Sequence, residues 1–452
     1  MAEKDLVQDM TKGNETKLLL KFMLPMLLGN IFQQVYNIAD SIIVGKFVGS
    51  NELGAIGCTA SITFLFFSIC QGIGFGAGIM VSQFFGAGKS NEVRKTLTNS
   101  FYIVVGLGFV LSVIGYILTE PVLTLLDTPQ KQLEDAVAYM EIVCAGTIAV
   151  ALYNYAAQTM RALGDARTPL VFLVVATVVN IVLDLLFILQ FDMGVRGAAY
   201  ATIIAQAISA IGCIIFAMAK NPYFRFQKED FLPEKEIVNL CFKIGMPLAM
   251  QGFAIAISCV VLQRFVNSFD AAVVTAFTVT SRVEQFVQQP YSSLGMAVST
   301  FTGQNMGAGK PERVRKAFYK AVWITVAISL AMFVICYGAG AFIVKCFVDD
   351  SEVVAIGVNG LKILGAMFFP LGIIYVTRGI LNGANDTFFA MINGIIEVCG
   401  RIGFSILFVT LIPLGMWSVW VATGCTWIIT GIAGAIRYKQ GIWVGKCIVK
   451  AA

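Results

Sequence analysis

Met80-Val-Ser-Gln-Phe-Phe-Gly-Ala-Gly-Lys-Ser-Asn-Glu-Val-Arg-Lys95 returns, without a gap, as Phe301-Thr-Gly-Gln-Asn-Met-Gly-Ala-Gly-Lys-Pro-Glu-Arg-Val-Arg-Lys316, 221 residues later. A match this specific, once repeated in 452 residues, marks a duplicated unit. Pro25 and Pro247 keep nearly the same separation, and Arg161 and Arg378 stand near the ends of corresponding apolar runs. The Gly-Ala-Gly-Lys element lacks the spacing of a phosphate cradle, which needs Gly-x-x-x-x-Gly-Lys-Ser/Thr between a strand and a helix. Each copy reads instead as a helix ended by a glycine stop, followed by basic residues that face anionic lipid. No segment has room for a nucleotide-binding domain, so any work the chain does draws on an ion gradient.

The solvent of the fold follows from composition. Hydrophobic residues make up 58% of the chain and charged residues only 13%, against about 25% charged in soluble domains. Apolar runs long enough to cross about 30 Å of hydrocarbon as helices recur from Leu18 to Arg437. The spacing predicts helices near 17–44, 53–83, 97–119, 133–160, 168–190, 195–219, 239–265, 272–304, 317–346, 353–381, 387–412 and 415–438. With a cytoplasmic N-terminus, 24 Lys and Arg fall on the inner side and six on the outer, which places both termini in the cytoplasm. The expected fold is an all-α membrane protein of twelve transmembrane helices in the cytoplasmic (inner) membrane. It has a six-helix N-terminal lobe (1–220), a charged cytoplasmic linker (221–238) and a six-helix C-terminal lobe with a short tail (239–452). Six is even, so both copies enter the membrane in the same direction. The lobes are then related by a pseudo-twofold axis along the membrane normal, with a cleft at the centre.

Eleven cysteines lie scattered in apolar segments and there is no histidine. Zinc, haem and nucleophile–base chemistry lose most of their usual groups, so neither a metal site nor an enzyme is expected. The net charge of +5 belongs to membrane flanks and not to nucleic-acid binding.

Acids inside spans are costly and therefore paired, protonated or functional. Asp40, Glu141, Asp184, Glu284 and Glu397 qualify. Asn30, Gln33, Asn37 and Asp40 share one face of the first helix, and Asn180 and Asp184 share one face of the fifth. Thr202 and Gln206 on the sixth, with Tyr139, Asn154 and Gln158 on the fourth, complete a polar chamber in the N-terminal lobe. Two carboxylates there, without a fixed cation, make a proton or sodium site. In the other lobe Asn393, Glu397 and Arg401 are spaced by four, so Glu397 and Arg401 read as a local ion pair. On the eighth helix Arg282 and Glu284, two apart, face different ways, while Gln285, Gln288 and Ser292 make a polar face. Pro25, Pro247, Pro290 and Pro370 are expected to bend their helices, with Pro25 a hinge candidate.

The chain resembles the multidrug and toxic compound extrusion (MATE) family over essentially its whole length. The resemblance rests on Pro25 through Asp40-x-x-x-x-Gly45, Gln83-x-x-Gly-Ala-Gly88 with its copy at Gln304, Arg161-Ala-Leu-Gly-Asp-Ala-Arg-Thr-Pro169, and Asn180-x-x-x-Asp184. It implies two six-helix lobes around a V-shaped cleft, and export of amphipathic, often cationic compounds by antiport with H+ or Na+. The DinF-like branch is matched at Asp40 and Asp184, with Tyr139, Asn154, Asn180 and Thr202 nearby. Where the NorM-like branch carries acids, this chain has Gln251 and an apolar stretch near Leu371. The expected partners are small organic cations and membrane lipids, with no cofactor besides the transported H+ or Na+, and the chain is expected to act as a monomer. Gln33, Asn37, Gln158, Gln251, Arg282, Gln285, Gln288, Glu397 and Arg401 are the candidates for lining the cargo path. The rival reading is a flippase of related fold for a lipid-linked precursor, which wants a strongly cationic cleft.

Overall fold

The computed structural model describes residues 7–125, 128–412 and 414–449. Among them there is no strand, and fourteen α-helices carry the fold. In chain order they are α1 (Glu15–Phe47), α2 (Ser50–Gly86), α3 (Ser90–Leu125), α4 (Gln130–Ala145), α5 (Thr147–Ala162), α6 (Arg167–Leu185) and α7 (Gly194–Lys220). The second set is α8 (Lys235–Val266), α9 (Ala271–Gly307), α10 (Pro311–Lys345), α11 (Ser351–Ala366), α12 (Phe368–Gly383), α13 (Thr387–Ile406) and α14 (Ser418–Lys439). The pairs α4–α5 and α11–α12 are single spans bent by 49° and 48°. Counted so, the chain has the twelve spans expected. By length and apolarity, eleven among the described residues suffice to cross a bilayer. The exception is α9, which carries Arg282, Glu284, Gln285, Gln288 and Gln289.

The duplication extends to backbone detail. The breaks at Gly146 and Met367 lie 221 residues apart, as do the π-helical turns Leu186–Gln190 and Leu407–Leu411. The repeated motif closes its helix the same way in both copies. The Lys89 amide reaches back to the Phe84 carbonyl at 3.0 Å and the Lys310 amide to that of Asn305 at 2.8 Å. That wrap needs left-handed backbone at Gly88 (φ 71°) and Gly309 (φ 68°), the glycine stop read from the sequence. The αL residues Gly164 and Asn385 also correspond at this offset, so the true partner of Arg161 is Asn382, not Arg378.

Arg94, Lys95 and Arg313, among the basic residues after the glycine stops, meet protein acids, which corrects for these three the expectation that they face lipid. Arg94 holds Asp230 at 3.0 Å and Lys95 holds Glu234 at 2.6 Å. In the second copy, Arg313 holds Glu15 at 3.2 Å, and Lys320 meets the same carboxylate at 2.6 Å. Around that pair, Met10 is fully buried; its amide donates to Gln304 Oε1 at 2.8 Å, and Arg313 donates to the Gly13 carbonyl at 2.9 Å. Each motif thus clasps the segment leading into the first helix of the opposite repeat.

The same exchange appears in the two compact units of the chain. One takes the described residues up to Asp9 with Leu24–Ala249, the other Met10–Met23 with Met250–Ala452. Both boundaries fall within two residues of a helix proline, at Pro25 in α1 and Pro247 in α8. Both helices continue through their prolines, whereas Pro370 sits in the first turn of α12, where no helical donor is needed. Two sharp breaks come at the non-proline positions Gly146 and Met367.

Inside the first unit, small residues let α2 and the start of α8 touch backbone to backbone. A Cβ at Gly72 would lie 2.5 Å from the Ala249 amide nitrogen, and one at Gly76 would lie 3.0 Å from Gly245. Gly72-x-x-x-Gly76 against Gly245-x-x-x-Ala249 is a small-residue seam of the kind that packs membrane helices. Gly72→Leu is expected to force the helices apart at a cost of about 1–3 kcal/mol. A lower melting temperature of the purified protein checks this, with Gly106→Leu as a control because that position has open space. Outward faces are strongly apolar: Ile117, Trp323 and Phe342 are 65%, 73% and 73% exposed. Lipid, and not water, suits such a surface.

Candidate functional site

Two helices, α1 and α6, bring the predicted acids Asp40 and Asp184 together in the first unit. Asp40 lies near the end of α1 and Asp184 in the last turn of α6, and their carboxylates come within hydrogen-bonding reach of each other. Asp184 and Asn180 are fully buried. Asp40 Oδ1 and Asp184 Oδ1 have no hydrogen-bond partner among the described residues. Among the described residues neither carboxylate has an ion pair with an arginine or lysine. Two bare carboxylates this close repel strongly where water is scarce, so the arrangement calls for a proton or a cation between them.

The surrounding groups hold this pair in place. The Asn180 amide, oriented to satisfy both of its ends, donates to Asp184 Oδ2 at 3.0 Å and accepts from the Thr202 amide at 3.2 Å. Tyr36, one turn before Asp40 on α1, joins its hydroxyl to Thr202 Oγ1 at 3.2 Å. This ties α1 to α7. The sequence reading passed over Tyr36, though its i, i+4 spacing to Asp40 was the available signal. Tyr139 on α4 stands within electrostatic range of Asp40, Tyr36 and Asp184.

Other candidates are placed elsewhere. Asn154 donates to the Val150 carbonyl of its own helix at 2.9 Å, so its amide nitrogen is spent locally. Gln158 packs against Gly74 and Gly78 of α2. Gln33 and Asn37 are exposed, as are Arg282 and Gln285 on α9. Gln251 is buried and donates to the Ala390 carbonyl at 2.9 Å, which makes it a helix–helix tie between α8 and α13.

The second unit builds a different polar centre. Glu397 and Arg401 do pair, at 3.1 Å, but Arg378 from α12 meets the other carboxylate oxygen at 2.7 Å. Arg378 also donates to Asn393 Oδ1 at 2.8 Å, and Asn393 donates to the Thr430 carbonyl at 2.9 Å. The local pair read from the sequence is therefore an Arg–Glu–Arg triad. A basic residue near a span end looks like a membrane flank in sequence, which hid Arg378. Beside the triad, Gln288 donates to Glu284 at 2.7 Å and accepts from the Tyr375 hydroxyl at 3.1 Å. Two acids and two arginines balance here, whereas Asp40 and Asp184 stand unbalanced in the first unit.

Known proteins resemble this chain in sequence and in fold. The chain is 29% identical to the "Probable multidrug resistance protein YpnP" of Bacillus subtilis, over 96% of this chain and 97% of that one. It is 24% identical to the multidrug export protein MepA of Staphylococcus aureus, over 90% of each. Its fold matches the outward-facing structure of a multidrug resistance MATE family transporter of the MOP superfamily, with a TM-score of 0.91, 21% identity and 98% of both chains covered. A family model described as MatE matches residues 25–186 and 247–407, so that each matched segment starts at a helix proline and ends at or within a π-helical turn. The chain belongs to the MatE family.

Proposed function

We propose that the chain is a secondary active exporter of amphipathic, cationic organic compounds, driven by inward movement of H+ or Na+ through the Asp40–Asp184 pair. The observation that carries this reading is the pair itself: two facing carboxylates that have, among the described residues, an unpartnered oxygen each and no fixed cation paired with them. The names of the relatives, which describe multidrug resistance and export, agree with it.

The chain's own residues supply the coupling. A proton needs only the two carboxylates, whereas sodium draws on oxygens of Asp40, Asp184, Asn180 and Thr202, the hard ligands such an ion takes. Once the cation leaves, like charge pushes Asp40 and Asp184 apart, and α1 is the element free to respond through its tie at Tyr36. That helix runs unbroken from Glu15, held by Arg313 and Lys320, to Asp40. Ion occupancy at one end therefore acts on the helix as a whole, and cargo and ion exclude one another by favouring different positions of α1. A flippase for an anionic precursor is disfavoured, because the buried Arg378 and Arg401 are both committed to Glu397.

The reading places both termini and the linker around Lys228 in the cytoplasm, with the chain as a monomer in the cytoplasmic membrane. Dye efflux from vesicles under imposed H+ or Na+ gradients tests the function. One of the two gradients should drive concentrative export that collapses with the matching ionophore. Equal dye movement without any gradient would overturn the proposal.

A further inference from the structure

On the second unit, away from the charged triad, a groove of about 500 Å³ opens between Tyr337 of α10, Asn359, Lys362 and Ile363 of α11, Met367 at the bend, and Trp417 at the start of α14. Its chemistry is lopsided. Most of the lining is apolar or aromatic, and Lys362 is its one charge. Among the described residues Lys362 has neither a carboxylate nor a hydrogen-bond partner, and its nearest polar interaction is the face of Tyr337, 6.0 Å from the ammonium. An ammonium on a membrane-spanning helix is strongly hydrated in water and poorly solvated by hydrocarbon, so it seeks an anion or the interface. Tyr337 and Trp417 are the amphipathic rings that settle at headgroup depth.

We propose that this groove binds an anionic phospholipid, with the phosphate on Lys362, the headgroup against Asn359 and Trp417, and an acyl chain along Ile363 and Met367. Charge complementarity selects the occupant. One lysine and no acid favour a lipid of net negative charge over a zwitterionic one, whose own cation would find no partner here. The apolar side of the groove runs along Ile363, Ala366 and Met367 at the bend between α11 and α12, where the acyl chain would lie.

The full-length protein in nanodiscs of phosphatidylcholine provides the test, with brominated phosphatidylglycerol or brominated phosphatidylcholine titrated in as quencher. The Trp417 signal is taken as the difference between the wild type and Trp417→Phe. Half-quenching is expected at about fivefold lower mole fraction of the anionic lipid, the effect of one basic residue at an anionic surface. Lys362→Arg should keep that preference, and Lys362→Gln, with an unchanged melting temperature, should bring the ratio to one. Equal quenching by both lipids in the wild type, quenching by neither, or a preference that survives in Lys362→Gln would each overturn the proposal.

Discussion

Replacing Asp40 with Asn is expected to reduce gradient-driven export to the level of vesicles lacking the protein, while the protein still inserts and folds. The substitution keeps the volume of the side chain and the hydrogen-bonding reach toward Asp184, but it removes the charge that a proton or sodium ion neutralises. A carboxamide also donates to the facing carboxylate, so Asp184 gains a permanent partner where it had an unpartnered oxygen. The position of α1 then no longer depends on the ion. Asp184→Asn should act the same way, since the two acids form one site. Efflux of dye from vesicles, normalised to the amount of protein inserted, reads the effect; concentrative export at the normal rate by Asp40→Asn would place the coupling elsewhere.

The second large effect is on stability and concerns Glu397. Its two oxygens each hold an arginine, and Arg378, Glu397 and Arg401 are 13%, 8% and 7% exposed. Glu397→Gln leaves two guanidinium groups without the carboxylate that both of them bond, while Glu284 remains to act on Arg401. The expected cost is about 3–5 kcal/mol, that of breaking a buried ion pair. Thermal unfolding of the purified protein should show a large drop for the single variant. Adding Arg378→Met and Arg401→Met together with Glu284→Gln should restore most of it, because the cluster as a whole contributes little net energy once no charge is left bare. A single variant that melts like the wild type would contradict the structural role assigned to the triad.

Much of this was legible in the sequence because the membrane penalises what it does not need. Duplication shows in the repeated motif, and the 221-residue offset then holds for breaks and turns that carry no motif. Asp40, Asn180, Asp184 and Thr202 stood out because polar groups at helical spacing inside apolar runs are rare, and the structure gathers them. The two sharp breaks were not legible because proline is only one cause of a break. At Gly146 the packing is tight as well: a Cβ there would meet Ile203 of α7 at 2.3 Å, a tertiary contact that no local pattern announces. The clasps on Arg94 and Arg313 join residues far apart in sequence, and no local pattern announces them. Gln251 looked available because an isolated amide in a span reads as polar lining, yet its nitrogen is spent on the Ala390 carbonyl.

The claim that one cation is exchanged at the Asp40–Asp184 pair is tested most directly by the ion released when cargo binds. Purified protein in weakly buffered detergent, or loaded with radioactive sodium, is mixed with a saturating organic cation, and the liberated H+ or Na+ is counted. The wild type should release one of the two ions on cargo binding, and Asp40→Asn should bind the same cargo and release none. Release from Asp40→Asn equal to that of the wild type would contradict the assignment.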